Sequence, residues 1–178
     1  MTKNKNIIPL VIACLSLIYF QGNVWSMIIG FLISAAGLSL RRRSAGYINT
    51  SGKFVTSGPF AHSQNPHFVG NILLYSGIAV MSFALFPFFQ ILIPVLLYLY
   101  YRSLASVRAK ELKSSLGDQY ELYASKVPLA GWRMSAFGIG RNGDTYDSVA
   151  GKTYESGTRK AFAAVTVTFL IIWLVRIF

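Results

Sequence analysis

The chain has 178 residues, of which 53% are hydrophobic and only 13% are charged, with a formal net charge of +11. A soluble domain carries about twice that charged fraction, so the composition excludes an ordinary water-soluble protein and predicts one compact membrane unit. The basic residues flank apolar runs, where they orient a membrane protein and contact anionic lipid headgroups. This explains the positive charge, so nucleic-acid binding is not expected.

Five apolar runs follow one another along the chain, and each predicts a membrane-spanning helix: residues 7–20, 24–40, 68–86, 88–101 and 161–175. Several are shorter than the roughly 20 residues that cross a bilayer core. Either flanking polar residues extend these helices, or the bilayer thins locally around them. The first two runs predict a helical hairpin, residues 1–43, that ends at an arginine cluster (Arg41, Arg42 and Arg43).

The lysines and arginines lie almost entirely on one side of such a bundle. Only Arg176 falls on the other side, where the turns around residues 21–23 and Pro87 carry no charge. The positive-inside rule then predicts an integral, multi-pass membrane protein whose N-terminus, long loops and active site are cytoplasmic.

A polar connector, residues 44–57, leads to the most informative segment, residues 58–71, which read GPFAHSQNPHFVGN. This segment resembles the cofactor signature of the isoprenylcysteine carboxyl methyltransferase and phospholipid methyltransferase superfamily of membrane enzymes. In that family a Gly-Pro-aromatic turn leads into Arg-His-Pro-x-Tyr-x-Gly, or Arg-Asn-Pro-x-Tyr-x-Gly in a prokaryotic subgroup. Four residues fit, and Gln64 takes the place of the arginine: Asn65, Pro66, Phe68 and Gly70.

An amphipathic segment follows the fourth run, in which Pro94 predicts a kink. Tyr98, Tyr100 and Tyr101 are expected to form an aromatic belt at the membrane surface. Gly117 predicts the end of one helix, and Asp118 with Glu121 predicts a capping box for the next, a cytoplasmic interfacial helix that stops before Pro128.

This segment is similar to the second motif of the same family, in which a glutamate pair precedes a leucine. The residues that match in order and spacing are Leu112, Leu116, Gly117, Tyr120, Tyr123, Val127 and Pro128. The family's paired glutamates fall on Arg108 and Ala109, and the nearest carboxylate is Glu111.

The resemblance implies an all-α, polytopic bundle of about five transmembrane helices that forms a single domain. Residues 44–128 are the expected cofactor-binding core, residues 129–160 a glycine-rich cytoplasmic loop, and residues 161–178 the last helix. Within the loop, Gly138-x-Gly140-x-x-Gly143 matches a dinucleotide fingerprint, but it follows no predicted strand and opens no predicted helix.

The implied enzyme transfers a methyl group from cytosolic S-adenosylmethionine to a membrane lipid, or to a prenylated small molecule or peptide, that enters from the bilayer. The residues implied to bind the cofactor are Gln64, Asn65, Pro66, Phe68, Gly70, Asn71, Arg108, Glu111 and Leu112. The catalytic candidates are His62, His67 and Glu111. A histidine near the cofactor is able to supply a general base. Interfacial hydrogen bonding is the other interpretation of the two histidines. No metal site is expected, since no cysteine lies near and carboxylates are few.

Two alternatives stay open. Membrane sterol and steroid reductases carry a Pro-Asn-Tyr-x-Gly-Glu turn in a similar setting and bind a phosphorylated nicotinamide cofactor, which Arg108 would suit. In this chain, however, Asn65 precedes Pro66, and Asn71 replaces the acidic residue. The other alternative is a non-catalytic lipid-binding membrane protein of the same fold.

Overall fold

The computed structural model describes residues 7–51, 55–135 and 145–177, and within these ranges every regular element is helical. The helices are α1 (Ile7–Ile18), α2 (Val24–Ser51), α3 (Pro66–Ser82), α4 (Phe88–Leu116), α5 (Asp118–Lys126), α6 (Ser148–Tyr154) and α7 (Ser156–Ile177), and a 3₁₀ turn covers Gly58–Ala61. The prediction of an all-α fold is confirmed for these residues.

Three of the described helices are long and apolar enough to cross a membrane: α2 over Val24–Tyr47, α4 and α7. The membrane prediction is confirmed to this extent. A bundle of five spans is not, because α1 has 12 residues and α3 has 17, fewer than the roughly 20 that cross a bilayer core unaided.

Helices α2 and α3 pack antiparallel through pairs of glycines. Gly30 and Gly37 on α2 are seven residues apart, as are Gly70 and Gly77 on α3. A Cβ on Gly37 would lie 2.6 Å from the carbonyl oxygen of Gly70, and one on Gly77 would lie 2.5 Å from that of Gly30. Small residues let two membrane helices approach at backbone distance, so these four positions set the spacing at the centre of the fold.

Helix α2 runs through the arginine cluster to Ser51, and the prediction that it ends there was wrong. The continuation is stabilised by burial: Ala45 is buried, and a Cβ on Gly46 would lie 2.7 Å from the carbonyl oxygen of Asp147. The first part of the expected connector is therefore a helix covered by the segment that leads into α6.

The predicted loop of residues 129–160 also contains a helix, α6. Asp147 caps it, since its carboxylate accepts hydrogen bonds from the backbone N–H groups of Val149 and Ala150 at 2.8 and 3.1 Å. Gly151 lets α6 approach α2 closely, because a Cβ there would lie 2.5 Å from the carbonyl oxygen of Arg42. The three glycines of the dinucleotide-like pattern lie outside the described residues.

Helices α4 and α5 are separated as predicted at Gly117, which has a φ of +55°. The predicted capping box is absent: Gly117 itself is the N-cap of α5, without a side-chain bond. Glu121 instead pairs with Lys113 of α4 at 2.7 Å. Helix α4 continues without interruption through Pro94. The position of α5 at a membrane surface stays a prediction.

Candidate functional site

The two motifs found separately in the sequence meet in space. The backbone N–H of Gln64 donates to the carbonyl of Pro128 at 3.0 Å, and its side-chain amide donates to the carbonyl of Val127 at 2.6 Å. The hydroxyl of Tyr120 donates to the amide oxygen of Gln64 at 2.7 Å. Gln64 therefore joins the turn before α3 to α5 and the segment that follows it.

Asn65 and Tyr123 complete this attachment. The Asn65 amide donates to the carbonyl of Leu129 at 2.9 Å, and the Tyr123 hydroxyl donates to the carbonyl of Phe60 at 2.6 Å. Burial raises the pKa of Tyr123, which keeps the phenol protonated as a donor. Pro66 is buried in the first turn of α3. The side chains of Gln64 and Asn65 thus shape the turn, and their role toward a cofactor stays a prediction.

Phe68 lies between two residues of α4. Its ring stacks on Tyr101 with centroids 5.0 Å apart, and the guanidinium carbon of Arg108 lies 4.8 Å from the centre of the Phe68 ring. Positions 101 and 108 share one helical face because they are two turns apart. Tyr101 is buried, so the expectation that it belongs to an exposed belt was wrong, whereas Tyr98 is exposed.

His67 borders the same cluster. Its ring meets that of Tyr154 edge-on at 5.6 Å. Burial, together with the positive charges of Arg41 and Arg108, lowers the pKa of His67 from 6.5 to about 4. The imidazole is therefore neutral at pH 7, and the same surroundings make it a weaker base than an ordinary histidine.

His62 has different neighbours. Its Nδ1 lies 2.8 Å from the carbonyl oxygen of Arg133, and its ring stacks on Trp132 at 4.9 Å. It lines a cavity of about 670 Å³ with Arg43 and Tyr47 of α2. The structure thus separates the neighbourhoods of the two histidines, and only His67 adjoins Phe68 and Arg108.

A buried ion pair, which the sequence did not predict, is linked to the cluster through Asn71. The Nε of Arg41 lies 3.1 and 3.0 Å from the two carboxylate oxygens of Glu155, and Glu155 is fully buried. The other nitrogens of Arg41 donate to Thr158 at 3.2 Å and to the amide oxygen of Asn71. An arginine within an apolar helix, and a carboxylate just before the last apolar run, was the signal available in the sequence.

The other residues predicted to bind the cofactor are either exposed on α4 or packed against another helix. Glu111 and Leu112 are exposed on α4, about one turn beyond Arg108. Gly70 faces α2, where a Cβ would lie 2.6 Å from Cγ of Arg41, so helix packing alone explains a glycine there. The structure therefore brings four of the predicted residues together at Phe68 and its neighbours: His67, Phe68, Asn71 and Arg108.

An apolar groove of about 460 Å³ lies between α1 and α4. Phe89, Ile93 and Leu97 of α4 line it, and Tyr100 does so at the end nearest the cluster. The ring of Tyr100 is 5.2 Å from that of Tyr101. A lipophilic molecule in this groove would have one end beside the aromatic and charged cluster.

Comparison of the chain with protein-family models, with curated proteins and with solved structures finds no significant match. The motif residues and the geometry around Phe68 are therefore the features that indicate a function.

Proposed function

We propose that this protein is a membrane-embedded methyltransferase that uses S-adenosylmethionine and a lipophilic or prenylated acceptor. One observation carries the proposal: Phe68 of the first motif contacts Tyr101 and Arg108 of the helix that leads into the second motif. Two segments that resemble one enzyme family, and are far apart in sequence, thus border a common cluster.

The side chains of the cluster suit the chemistry of this cofactor. The exposed ring of Tyr154, beside His67, attracts a cation such as a sulfonium, and the guanidinium of Arg108 pairs with a carboxylate. Glu111, about one turn further along α4, is the nearest exposed carboxylate able to accept hydrogen bonds from ribose hydroxyls. When bound, the cofactor supplies an electrophilic methyl group.

The groove between α1 and α4 supports a lipophilic acceptor. Its walls are aliphatic and aromatic, and they end at Tyr100, next to Tyr101. Holding an acceptor in this groove would align its reactive atom with the cluster and exclude water. His67, neutral at pH 7, would accept a hydrogen bond from an amine or hydroxyl acceptor.

A membrane reductase with an anionic nicotinamide cofactor is the second candidate. The positive charges of Arg41 and Arg108 both act on His67, and the buried carboxylate of Glu155 is already committed to Arg41. A cationic environment of this kind favours a phosphorylated ligand.

Titration of the purified protein in lipid nanodiscs with S-adenosylmethionine and, separately, with the reduced phosphorylated nicotinamide dinucleotide tests both candidates. We expect saturable binding of S-adenosylmethionine that Arg108→Gln weakens about tenfold, the usual cost of losing a charge-assisted partner. Lys110→Gln is the matched control, because Lys110 is an exposed cation of the same helix and belongs neither to the Arg108 contact with Phe68 nor to the Lys113 ion pair.

The same preparation then receives S-adenosylmethionine with a labelled methyl group and a lipid extract. Label in the lipid fraction supports the transferase. Binding of the nicotinamide dinucleotide alone would favour the reductase, and binding of neither cofactor would favour a non-catalytic lipid-binding protein.

A further inference from the structure

A second cavity, of about 620 Å³, lies between α2 and α7, on a different pair of helices from the groove of α1 and α4. Leu38 of α2 lines it, as do Ala163 and Val167 of α7. Phe31 and Phe162 also line it, and their rings stack at 5.6 Å. Most of the cavity wall is therefore apolar and within two helices that are long and apolar enough to cross a membrane.

Two contacts at separate points join α7 to α2, and the cavity is the space that they leave between the helices. At one end, the ion pair of Arg41 and Glu155 is reinforced by Thr158. About two turns further along α7, the rings of Phe31 and Phe162 meet. The small side chain of Ala163, next to Phe162, leaves space that neither contact fills.

The end of the cavity near the ion pair is cationic. Arg159 and Lys160 line it and are exposed. Within the described ranges of the chain, neither forms an ion pair, since the salt bridges there join Arg41 to Glu155 and Lys113 to Glu121. Two adjacent cations at the end of an apolar groove suit an anionic amphiphile, whose charged headgroup adjoins an apolar chain.

We propose that this groove binds an anionic glycerophospholipid. One acyl chain lies along Leu38, Ala163 and Val167, and the phosphate pairs with Arg159 and Lys160. Each cation near a membrane surface strengthens attraction to anionic lipid, and the apolar wall packs against the acyl chain. The bound lipid fills the space between α2 and α7, so it stabilises α7 against the bundle. This lipid site is separate from the cluster and the groove proposed for methyl transfer.

Native mass spectrometry of the detergent-purified full chain, with added dioleoyl phosphatidylglycerol or dioleoyl phosphatidylcholine, tests this site. We expect the phosphatidylglycerol to be retained more strongly and to raise the melting temperature. The double variant Arg159→Gln/Lys160→Gln should weaken its retention about tenfold, since two surface cations are lost. The matched control is Lys110→Gln/Lys126→Gln, which removes two exposed cations outside the groove and should retain the lipid as the wild type does.

A third variant separates the groove from general attraction to basic residues. Ala163→Phe keeps both cations and fills the apolar space, and because Ala163 is exposed toward the groove, the bundle is expected to fold. It should lose the bound phosphatidylglycerol while melting normally without lipid. Equal retention of the two lipids, equal loss in the control pair, or full retention by a folded Ala163→Phe protein would each overturn the proposal.

Discussion

Arg41 and Glu155 are separated by 114 residues in sequence, yet Nε of Arg41 lies 3.0 Å from a carboxylate oxygen of Glu155 in the interior of the protein. Arg41 also binds Asn71 and Thr158. A single guanidinium thus connects α2, α3 and the junction of α6 with α7.

Removing one partner of this pair should be costly. Glu155→Gln leaves the Arg41 charge buried without its counterion, and we expect a loss of about 3 kcal/mol in the free energy of unfolding. Thermal and denaturant unfolding in detergent measure it. Arg41→Met/Glu155→Leu, which removes both charges, should recover most of the loss. Glu121→Gln, which breaks the exposed pair with Lys113, serves as the control and should have no measurable effect. A single variant as stable as the wild type would contradict the role assigned to the pair.

The contact of α2 with α3 should not tolerate side chains at its glycines. Gly37→Ala places a Cβ 2.6 Å from both the carbonyl oxygen of Gly70 and the backbone nitrogen of Leu74. The helices must separate, and we expect the melting temperature to fall by several degrees, as it does for about 1 to 3 kcal/mol of overpacking. Gly157→Ala is the control, because no atom lies within 4 Å of a Cβ there. Equal melting temperatures for Gly37→Ala and the wild type would refute close backbone packing.

His67 should remain neutral across the physiological range. Its pKa is lowered to about 4, so NMR of ring-labelled protein should show one imidazole that titrates near that value and disappears in His67→Gln. The unfolded chain binds this proton more tightly than the folded protein does. Stability contributed by the neutral ring is therefore complete above pH 6.5 and is lost as the pH falls toward 4. Wild-type stability should fall more steeply than that of His67→Gln over this interval, and parallel curves would count against the assignment.

Gln64 should stabilise the junction between the two motifs. Gln64→Leu removes the donor to the Val127 carbonyl and the acceptor for the Tyr120 hydroxyl, which should lower the free energy of unfolding by about 1 to 3 kcal/mol. Gln119→Leu, at an exposed position of α5, is the matched control. Increased protease cleavage within α5 in the first variant alone is the expected result. If both variants resist protease equally, the junction does not depend on Gln64.

Labelling of introduced cysteines from each side of the membrane tests the topology, after Cys14 is replaced by serine. We expect Ser135→Cys to react with a membrane-impermeant reagent only from the cytoplasm and Gln21→Cys only from outside. The reason is the concentration of lysine and arginine in the segments beside residue 135 and their absence from the turn at residues 21–23. Reaction of both sites from one side would show an even number of crossings between them, contrary to the three expected from residues 24–40, 68–86 and 88–101.

The sequence by itself determined the chemical class of the protein. Composition alone predicts a membrane helical protein, because a chain with so few charged residues cannot cover a soluble surface. The apolar runs predicted where most helices lie, and Gly117 marked the boundary between α4 and α5, since these signals are local. The residues that resemble a methyltransferase motif were also visible in the sequence, and that resemblance stays a prediction.

Only the tertiary structure decided which of those residues face one another. Gly70 faces α2, and the side chains of Gln64 and Asn65 donate to backbone carbonyls. His67 and Phe68 lie near Arg108. Helix α2 passes through a cluster of arginines that local polarity predicts as an end, because Glu155, far along the chain, neutralises Arg41. Hydrophobic periodicity is set by neighbours in sequence, whereas the partner of a buried charge is set by packing between helices, which no local pattern encodes.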